Sequence, residues 1–503
     1  MKARLFRLAG RIVTILPAAI VEGVILYLLI TYLKPWTTII EILFRIMGFL
    51  IVMYIFSYRA EGTYKLLWVL FIMALPIAGG AAYLIWGNKR TSVFLKRKIE
   101  SSIAGMHVEF DQDRIELNEI GALDPRMAQS FEYLWKMTGF PPNFNESSVF
   151  YPVGEKAFEQ MLIDLESAKK FIYLEYFIIQ RGKMLDSIVD ILARKAAEGV
   201  DVKLIYDDLG SIATFSRQEA RNFRARGIDF LAFNQVTTLS GTLNNRTHRK
   251  YLIIDGKICF SGGINLSDEY ININAPFGHW KDFGFRVTGP AVGGYLYMFV
   301  SFWNAFRTKK IPDTVFDEVP WVASANKGIV LSYYDSPFSK EPVSNNFFIE
   351  LLGDARRYAW FYTPYLILSD TLMDAFVRAA KRGVDVRIIM PGIPDKKFIY
   401  LLSRSYYRPL IEAGVKIYEY KPGFVHAKAF VSDDEVCTIG SVNLDYRSLF
   451  LHFENNSAFW NAPIVKDIKE DFIKTQEASR RFKEEDLRFK FLEGFLRIIA
   501  PLC

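Results

Sequence analysis

One pattern in this chain is written twice, and it restricts the possible folds more than any other feature. His248-x-Lys250-x4-Asp255-x6-Gly262-x2-Asn265 recurs without a gap, 178 residues on, as His426-x-Lys428-x4-Asp433-x6-Gly440-x2-Asn443. Upstream, Gly199-Val-Asp-Val-Lys-Leu-Ile205 recurs 184 residues later as Gly383-Val-Asp-Val-Arg-Ile-Ile389. The stretch before each copy also matches, Ala193-Arg-Lys-Ala-Ala-Glu198 against Val377-Arg-Ala-Ala-Lys-Arg382. A repeat of about 180 residues is too long for a solenoid unit, so two similar domains are expected. Within the first, Phe158–Leu165 has helical spacing, Phe171–Ile179 reads as a buried strand, Leu185–Glu198 as a helix and Val200–Tyr206 as a strand. Alternating strands and helices predict an α/β class protein. Its two sandwich halves, 146–325 and 326–503, would be related by a pseudo-two-fold axis.

On a strand, residues two apart point to the same face. Each copy therefore offers a His and a Lys side by side, and an Asn arrives after a glycine that lets backbone come close. Pairing the halves would assemble two His, two Lys and two Asn in one pocket. The ammonium and amide groups can hold an oxyanion, and the imidazoles can divide the work of nucleophile and proton donor. A phosphodiester suits that set, because it is anionic and its crowded transition state profits from such clamps. A lone His-x-Lys carries no weight; two gap-free copies in a chain with 5 histidines do. Asp255 and Asp433 complete the motif. They lie five residues beyond each Lys, an odd step that turns them to the opposite face, which reads as a mainly structural role. Asp282 in His279-Trp-Lys-Asp282 and Glu454 in His452-Phe-Glu454 are better candidates to orient the imidazoles, following His248 and His426 by 34 and 28 residues.

Other features read more plainly. Asp207-Asp208 could ligate a divalent ion, but a helix cap after a strand is the simpler reading. His279 and His452 are expected to pack or hydrogen-bond, and His107 in the linker is given no role. Three cysteines, Cys259, Cys437 and Cys503, form no C-x-x-C pair; Cys259 and Cys437 read as buried core thiols and the compartment as reducing.

The first hundred residues are a different material. Residues 1–100 hold 13 Lys/Arg and 4 Asp/Glu, a net of +9, whereas the whole chain is +7, so the rest carries −2. A body that is nearly neutral argues against nucleic acid as partner. Three apolar runs, Ile12–Leu33, Ile46–Phe56 and Leu66–Trp86, lie among these charges. A spanning helix takes about 20 apolar residues, so the first and third qualify and the second is marginal. Apolar sequence continues past Glu22, too far for a cleaved leader. Ala74, Ala78 and Ala82 place a small-residue stripe on the third run. Lys2, Arg4, Arg7 and Arg11 draw the N-terminus to the cytoplasmic side, and Lys89, Arg90, Lys96, Arg97 and Lys98 draw the segment after the third run to the same side. Three full spans cannot satisfy both. The expected organisation is an anchor of two or three transmembrane helices at 1–88 and a linker at 89–145. The two halves follow, and the amphipathic pattern of 485–499 closes the chain. The five charges after the third run place the body on the cytoplasmic face.

The twin motif resembles the His-x-Lys-x4-Asp signature of the phospholipase D superfamily, and within it the bacterial cardiolipin synthases. Glu175-Tyr-Phe-Ile-Ile179, Tyr206-Asp-Asp-Leu-Gly-Ser211, Arg246-Thr-His-Arg-Lys250 and Gly262-Gly-Ile-Asn265 are similar to that family's signatures. So are Gly440-Ser-Val-Asn-Leu-Asp-Tyr-Arg-Ser448, Phe453-Glu-Asn-Asn456, Leu84-Ile-Trp-Gly-Asn-Lys-Arg90 and the closing Ile498-Ile-Ala-Pro-Leu502. The family commonly has two N-terminal spans; a third apolar run departs from that. The resemblance implies phosphatidyl transfer through a phosphohistidine, without metal or cofactor, joining two phosphatidylglycerols into cardiolipin and glycerol at a bacterial plasma membrane. The catalytic set would be His248, Lys250, Asp255, His426, Lys428 and Asp433. His248 would attack phosphorus and His426 serve as acid and base, with the reverse assignment left open. Lys250, Lys428, Asn265 and Asn443 would hold the phosphoryl oxygens. A hydrolytic phospholipase D, another phosphatidyltransferase, a nuclease of the superfamily and a non-catalytic scaffold are the alternatives. Oligomeric state is not legible.

Overall fold

The computed structural model describes residues 37–57, 62–83, 93–108, 110, 115–235 and 244–487, with scattered positions at 20–31 and 493–500. Contacts divide the chain into two compact units, Leu95–Val236 with Thr242–Arg497, and Met1–Phe94 with Thr237–Gly241 and Ile498–Cys503.

The larger unit holds two sheets of the same strand order. In the first the order is Ser147–Tyr151, Gly284–Thr288, Ile258–Gly262, Tyr251–Ile254, Phe171–Tyr176, Asp201–Asp207 and Asp229–Phe233. In the second, Ile329–Asp335, Glu454–Trp460, Val436–Gly440, Ala429–Ser432, Tyr358–Tyr362, Asp385–Pro391 and Lys416–Tyr420 take the corresponding places. The second sheet gains a strand at each edge. Asn143–Phe144, from the stretch read as linker, pairs with Ile329 and Val330, and Ser479–Phe482 pairs with Lys416–Tyr420 at the other end. Both sheets are mixed: three strands run parallel, as helical crossovers demand, and the hairpin that follows each motif is antiparallel.

Residue alternation along the strands decides the layers. Tyr251 and Ile253 face one core, Leu252 and Ile254 another. The first core lies between the two sheets and is shared by the halves, drawing Cys259, Phe285 and Val287 from one and Val330, Cys437 and Phe459 from the other. Helices Val292–Phe306 and Pro463–Glu477 contribute Phe299, Phe302, Ile468 and Phe472 to it. Both cysteines are fully buried there. The second core covers the outer face of the first sheet beneath Gly154–Glu166 and Lys183–Ala197.

In the smaller unit the described helices are Thr37–Phe56, Gly62–Ala74 and Pro76–Ala82. The uncharged run Leu66–Trp86 is thus interrupted at Leu75. Pro76 supplies no N–H and its ring crowds the preceding turn, so a new helix starts with it. Of the alanine stripe, Ala78 and Ala82 are buried and Ala74 is exposed. At Gly80 a Cβ would lie 3.0 Å from Ile51 Cδ1, so the glycine lets Pro76–Ala82 pack closely on Thr37–Phe56. Among the described residues no helix is long and apolar enough to cross a membrane. Most of the run Ile12–Leu33, the basic residues before it, the Leu84–Arg90 stretch, all of Ile498–Leu502 but Ala500, Cys503 and most of the 485–499 pattern lie outside the described residues.

Candidate active site

Each histidine sits just before the central hairpin of its half, and the other half supplies its carboxylate. The stretch before Tyr251 crosses to the second half: Thr247 bridges Phe453, and the His248 N–H donates to the Phe453 carbonyl at 2.8 Å. That contact delivers Glu454, whose Oε1 and Oε2 both lie 2.9 Å from His248 Nδ1. In the other direction, His279–Lys281 of the first half pairs in parallel with Gly423–Val425 of the second. The His426 N–H donates to the Lys281 carbonyl at 2.8 Å, and Asp282 Oδ2 then lies 2.6 Å from His426 Nδ1. The carboxylates stand where the sequence spacing paired each with the histidine of its own half, but the partners are exchanged.

A carboxylate on Nδ1 favours that nitrogen as the donor and Nε2 as the lone-pair nitrogen; at His426 the Lys428 Nζ also lies 2.8 Å from Nδ1, so carboxylate and ammonium compete for it. Glu454 also accepts from Ser441 Oγ and, at 2.5 Å, from Ser448 Oγ. Asp282 Oδ1 accepts from the Phe283 N–H at 2.8 Å. Both carboxylates are fully buried and both imidazoles nearly so. Aromatic rings fix the imidazoles further: Phe177 stands edge-on to His248 at 4.9 Å, and Tyr270 to His426 at 5.3 Å.

Lys250 and Lys428 are buried beside the histidines, each donating to the carbonyl of the histidine two residues before it. Burial lowers the Lys250 ammonium to about 7 and that of Lys428 to about 8, against the pull of Glu454 and Asp282. Burial and then the Lys428 charge lower His426 to about 4. Burial, Lys250, His452, Lys428 and His426 together push His248 well below the ordinary histidine range. The mutual influence of His248, Lys250, His426 and Lys428 puts the four in one electrostatic neighbourhood. Burial raises Glu454 to about 8, opposed by Lys250 and the two serine hydroxyls. At neutral pH the site therefore presents neutral imidazoles, and burial brings Lys250 and Glu454 into the same titration range, so these two groups gain and lose their charges as one coupled pair.

The remaining motif residues separate. Asp255 accepts from the N–H groups of Lys169, Lys170 and Phe171 at 2.8–2.9 Å, and Asp433 from those of Arg356, Arg357 and Tyr358 at 2.7–2.9 Å. Both adopt left-handed φ, 51° and 55°, in the hairpin turn. Five strand residues from Lys250 carry Asp255 about 16 Å along the chain. Each ties a hairpin turn to the strand start of its own half. Asn265 accepts from the Ile178 N–H and donates to Tyr270 OH at 2.6 Å, while Asn443 donates to Asp445 at 3.0 Å. One amide hydrogen of each is thus committed within the protein. Asp207 caps the helix Asp208–Ser211 and pairs with buried Arg246. Lys281 is buried against Asp471 of the second half at 2.6 Å.

Sequence reasoning assigned no role to Glu175, which is fully buried and accepts from Thr247 at 2.5 Å and from Tyr251 OH, bracing both sides of the His248–Lys250 segment. The signal was there: a lone carboxylate in the apolar run Phe171–Ile179 needs partners. Ser441 and Ser448, which brace Glu454, gave no such signal. His452 lies beside His248, ring centroids 5.6 Å apart, with Nδ1 3.9 Å from Glu454 and Nε2 without a partner among the described residues. His248, His452 and Glu454 bring one potential ligand atom each within 4.8 Å. The oxygens of Glu454 are engaged there by His248 and the two serines. His279 contacts Tyr420 OH at 3.2 Å, and the His107 N–H donates to Asp313.

The family described as "Cardiolipin synthase, PLD-like domain" matches residues 161–276 and 348–475, and the one described as "Phospholipase_D-nuclease N-terminal" matches 46–88. An uncharacterized Streptococcus mutans protein is 38% identical over 467 residues, 90% of this chain and 99% of its own. A cardiolipin synthase of Alkalihalophilus pseudofirmus is 30% identical over 487 residues, 95% of this chain and 96% of its own. One from Staphylococcus aureus is 29% identical over 466 residues, 89% and 93%. Among solved structures, the phosphatidylserine synthase of Haemophilus influenzae aligns with a TM-score of 0.55 at 13% identity, covering 74% of this chain and 98% of that one, a likeness of fold.

Proposed function

The chain belongs to the phospholipase D-like cardiolipin synthase family, and from that premise we propose that it transfers a phosphatidyl group from one phosphatidylglycerol to another, releasing glycerol. The observation that carries this reading is the pair of buried histidines, each with a carboxylate on Nδ1 and a lysine beside it. In this reading His248 Nε2 attacks phosphorus in line, and Glu454 stabilises the imidazolium character that develops. Lys250 and Lys428 neutralise the phosphoryl oxygens, with the second amide hydrogens of Asn265 and Asn443 as further donors. An arriving phosphodiester anion offsets the two ammonium charges and so raises His426, which takes up a proton from solvent on Nε2 and hands it to the departing glycerol oxygen as the P–O bond breaks. His426 then takes the proton of the incoming hydroxyl as that oxygen attacks the phosphohistidine, regenerating His248.

Incubation with phosphatidylglycerol vesicles, product separation and an acid-sensitive phosphohistidine trap test this together. Cardiolipin with equimolar glycerol and a label on His248 is the expected result. Phosphatidic acid as the main product would make the chain a hydrolase, and a label on His426 would reverse the two roles.

The N-terminal segments are read as the membrane anchor, with the body on the cytoplasmic face. What supports this is the apolar surface of the described helices: Ile42, Leu43, Ile46, Phe49, Leu50 and Met53 are all exposed, and the two charges of Thr37–Phe56 pair as Arg45–Glu41 at 2.6 Å. Lys96, Arg97 and Lys98 follow these helices in the chain, the charge bias of a cytoplasmic flank. Full-length protein should float with phosphatidylglycerol vesicles in high salt and alkaline carbonate; release under those conditions would reject an integral anchor.

A further inference from the structure

Behind the His248–Lys250 segment, on the face opposite the two side chains, lies a cleft of about 180 Å³. Arg249 forms part of its wall and is 2% exposed. Its guanidinium lies over Phe302 at 4.3 Å, flanked by Tyr334 and Phe453 at 5.6 Å. Stacking uses the face of the group and leaves its in-plane N–H donors unanswered. Among the described residues Nε and Nη1 are buried with no acceptor, and the carboxylate of Glu175, 4.0 Å from Nη1, is beyond hydrogen-bond reach and already engaged by Thr247 and Tyr251. A buried cation with empty donors is costly unless something fills them. Lys96, from helix Val93–Ala104, joins the lining with Ser336 and Ser339, and aromatic rings complete it.

We propose that this cleft is a second anion site, separate from the histidine pocket, which takes a phosphate-bearing ligand. Nε and Nη1 lie on different edges of the guanidinium, so one of these donors meets a phosphate oxygen, and Lys96 and the serine hydroxyls face the others. The apolar walls suit the carbons attached to a phosphoester. Glu100, also in the lining, pairs with Lys96 at 3.6 Å and competes with the anion for it. Arg249 separates His248 from Lys250 in the chain, and Phe453 precedes Glu454, so occupancy acts on the segment that sets the geometry of the first histidine.

The test uses full-length protein in neutral detergent micelles, with inorganic phosphate and soluble dihexanoylphosphatidic acid as probes, titrated calorimetrically. The variants are Lys96→Glu and Ser339→Trp, both outside the histidine pocket, and Glu100→Gln. At least a ten-fold loss of affinity in Lys96→Glu and Ser339→Trp, with tighter binding in Glu100→Gln, is expected. Binding of the lipid alone identifies a headgroup; equal binding of both probes identifies free phosphate. Affinity unchanged in Lys96→Glu, an exposed rim position whose melting curve reports its folding, would overturn the proposal. The anions would then enter only the histidine pocket, and the cleft would hold water. Ser339→Trp is a second reading of the same result, and its loss to misfolding leaves the Lys96 variant decisive.

Discussion

Glu454 and Asp282 each act on an imidazole through one nitrogen, so exchanging oxygen for an amide is the sharpest change at this scale. Glu454→Gln keeps the shape but can place a donor against Nδ1, which favours the wrong tautomer. Turnover should fall by about 10²–10⁴-fold, as should that of Asp282→Asn. The pH profile separates positioning from packing. In the wild type, kcat/KM should show no acid limb down through pH 6, because the nucleophile His248 titrates below the ordinary histidine range. It should decline as pH rises, because His426 is neutral in the free site and must gain a proton to act as acid, and from about 7 to 8 Lys250 and then Lys428 lose their charge. In the amide variants the loss should lie in kcat and the acid limb should move, while melting changes little. A wild-type profile with an acid limb at 6.5 and no alkaline decline to pH 9 would overturn this electrostatic account. The histidines and lysines were legible because spacing alone put them on one face. The exchange of carboxylates was not, since nothing local in the chain tells Glu454 that Phe453 will lie beside Thr247. The asparagines were legible as residues but not in their bonds, which depend on Tyr270 five positions on and Asp445 two positions on.

At the scale of elements, a three-residue strand does disproportionate work. Gly423–Val425 pairs with His279–Lys281, and Asp282 follows directly. A side chain at Gly423 would put its Cβ 2.2 Å from the His279 carbonyl oxygen and 2.5 Å from its nitrogen. Gly423→Val should therefore open this pairing and withdraw Asp282 from His426. We expect turnover to drop by at least about 10²-fold for a stability loss of about 1–3 kcal/mol, measured by kinetics and denaturant unfolding of the same preparation. Wild-type turnover in that variant would show that the pairing does not position the carboxylate. The strand itself escapes periodicity arguments because three residues hold no period. Elsewhere periodicity served well, as in the fully buried strand Phe171–Tyr176. The break at Pro76 is different: the residue was visible, and its helix-stopping chemistry is local.

At the scale of the molecule, the duplication announced two equivalent sheets, and both appear with the same strand order. Hidden from the repeat were the strands that are not repeated, Asn143–Phe144 and Ser479–Phe482, which extend one sheet only. The halves are joined by more than their shared apolar core. Lys281 reaches Asp471 at 2.6 Å, and Tyr362 OH donates to the same carboxylate at 2.8 Å. Removing one partner of a buried pair costs about 3–5 kcal/mol, so Lys281→Met should lower unfolding free energy by that order. Melting of the variant should remain a single transition, because the core between the sheets is common property. Two separated transitions would show halves that fold independently.

The crossed delivery of carboxylates makes the two halves hostages to each other. One half alone, with its own histidine and its own carboxylate, could not satisfy itself, because its acid reaches outward to a neighbour's imidazole. Each half lends the other a side chain, Asp282 in one direction and the longer Glu454 in the other, so a change in either half disarms the histidine of its partner.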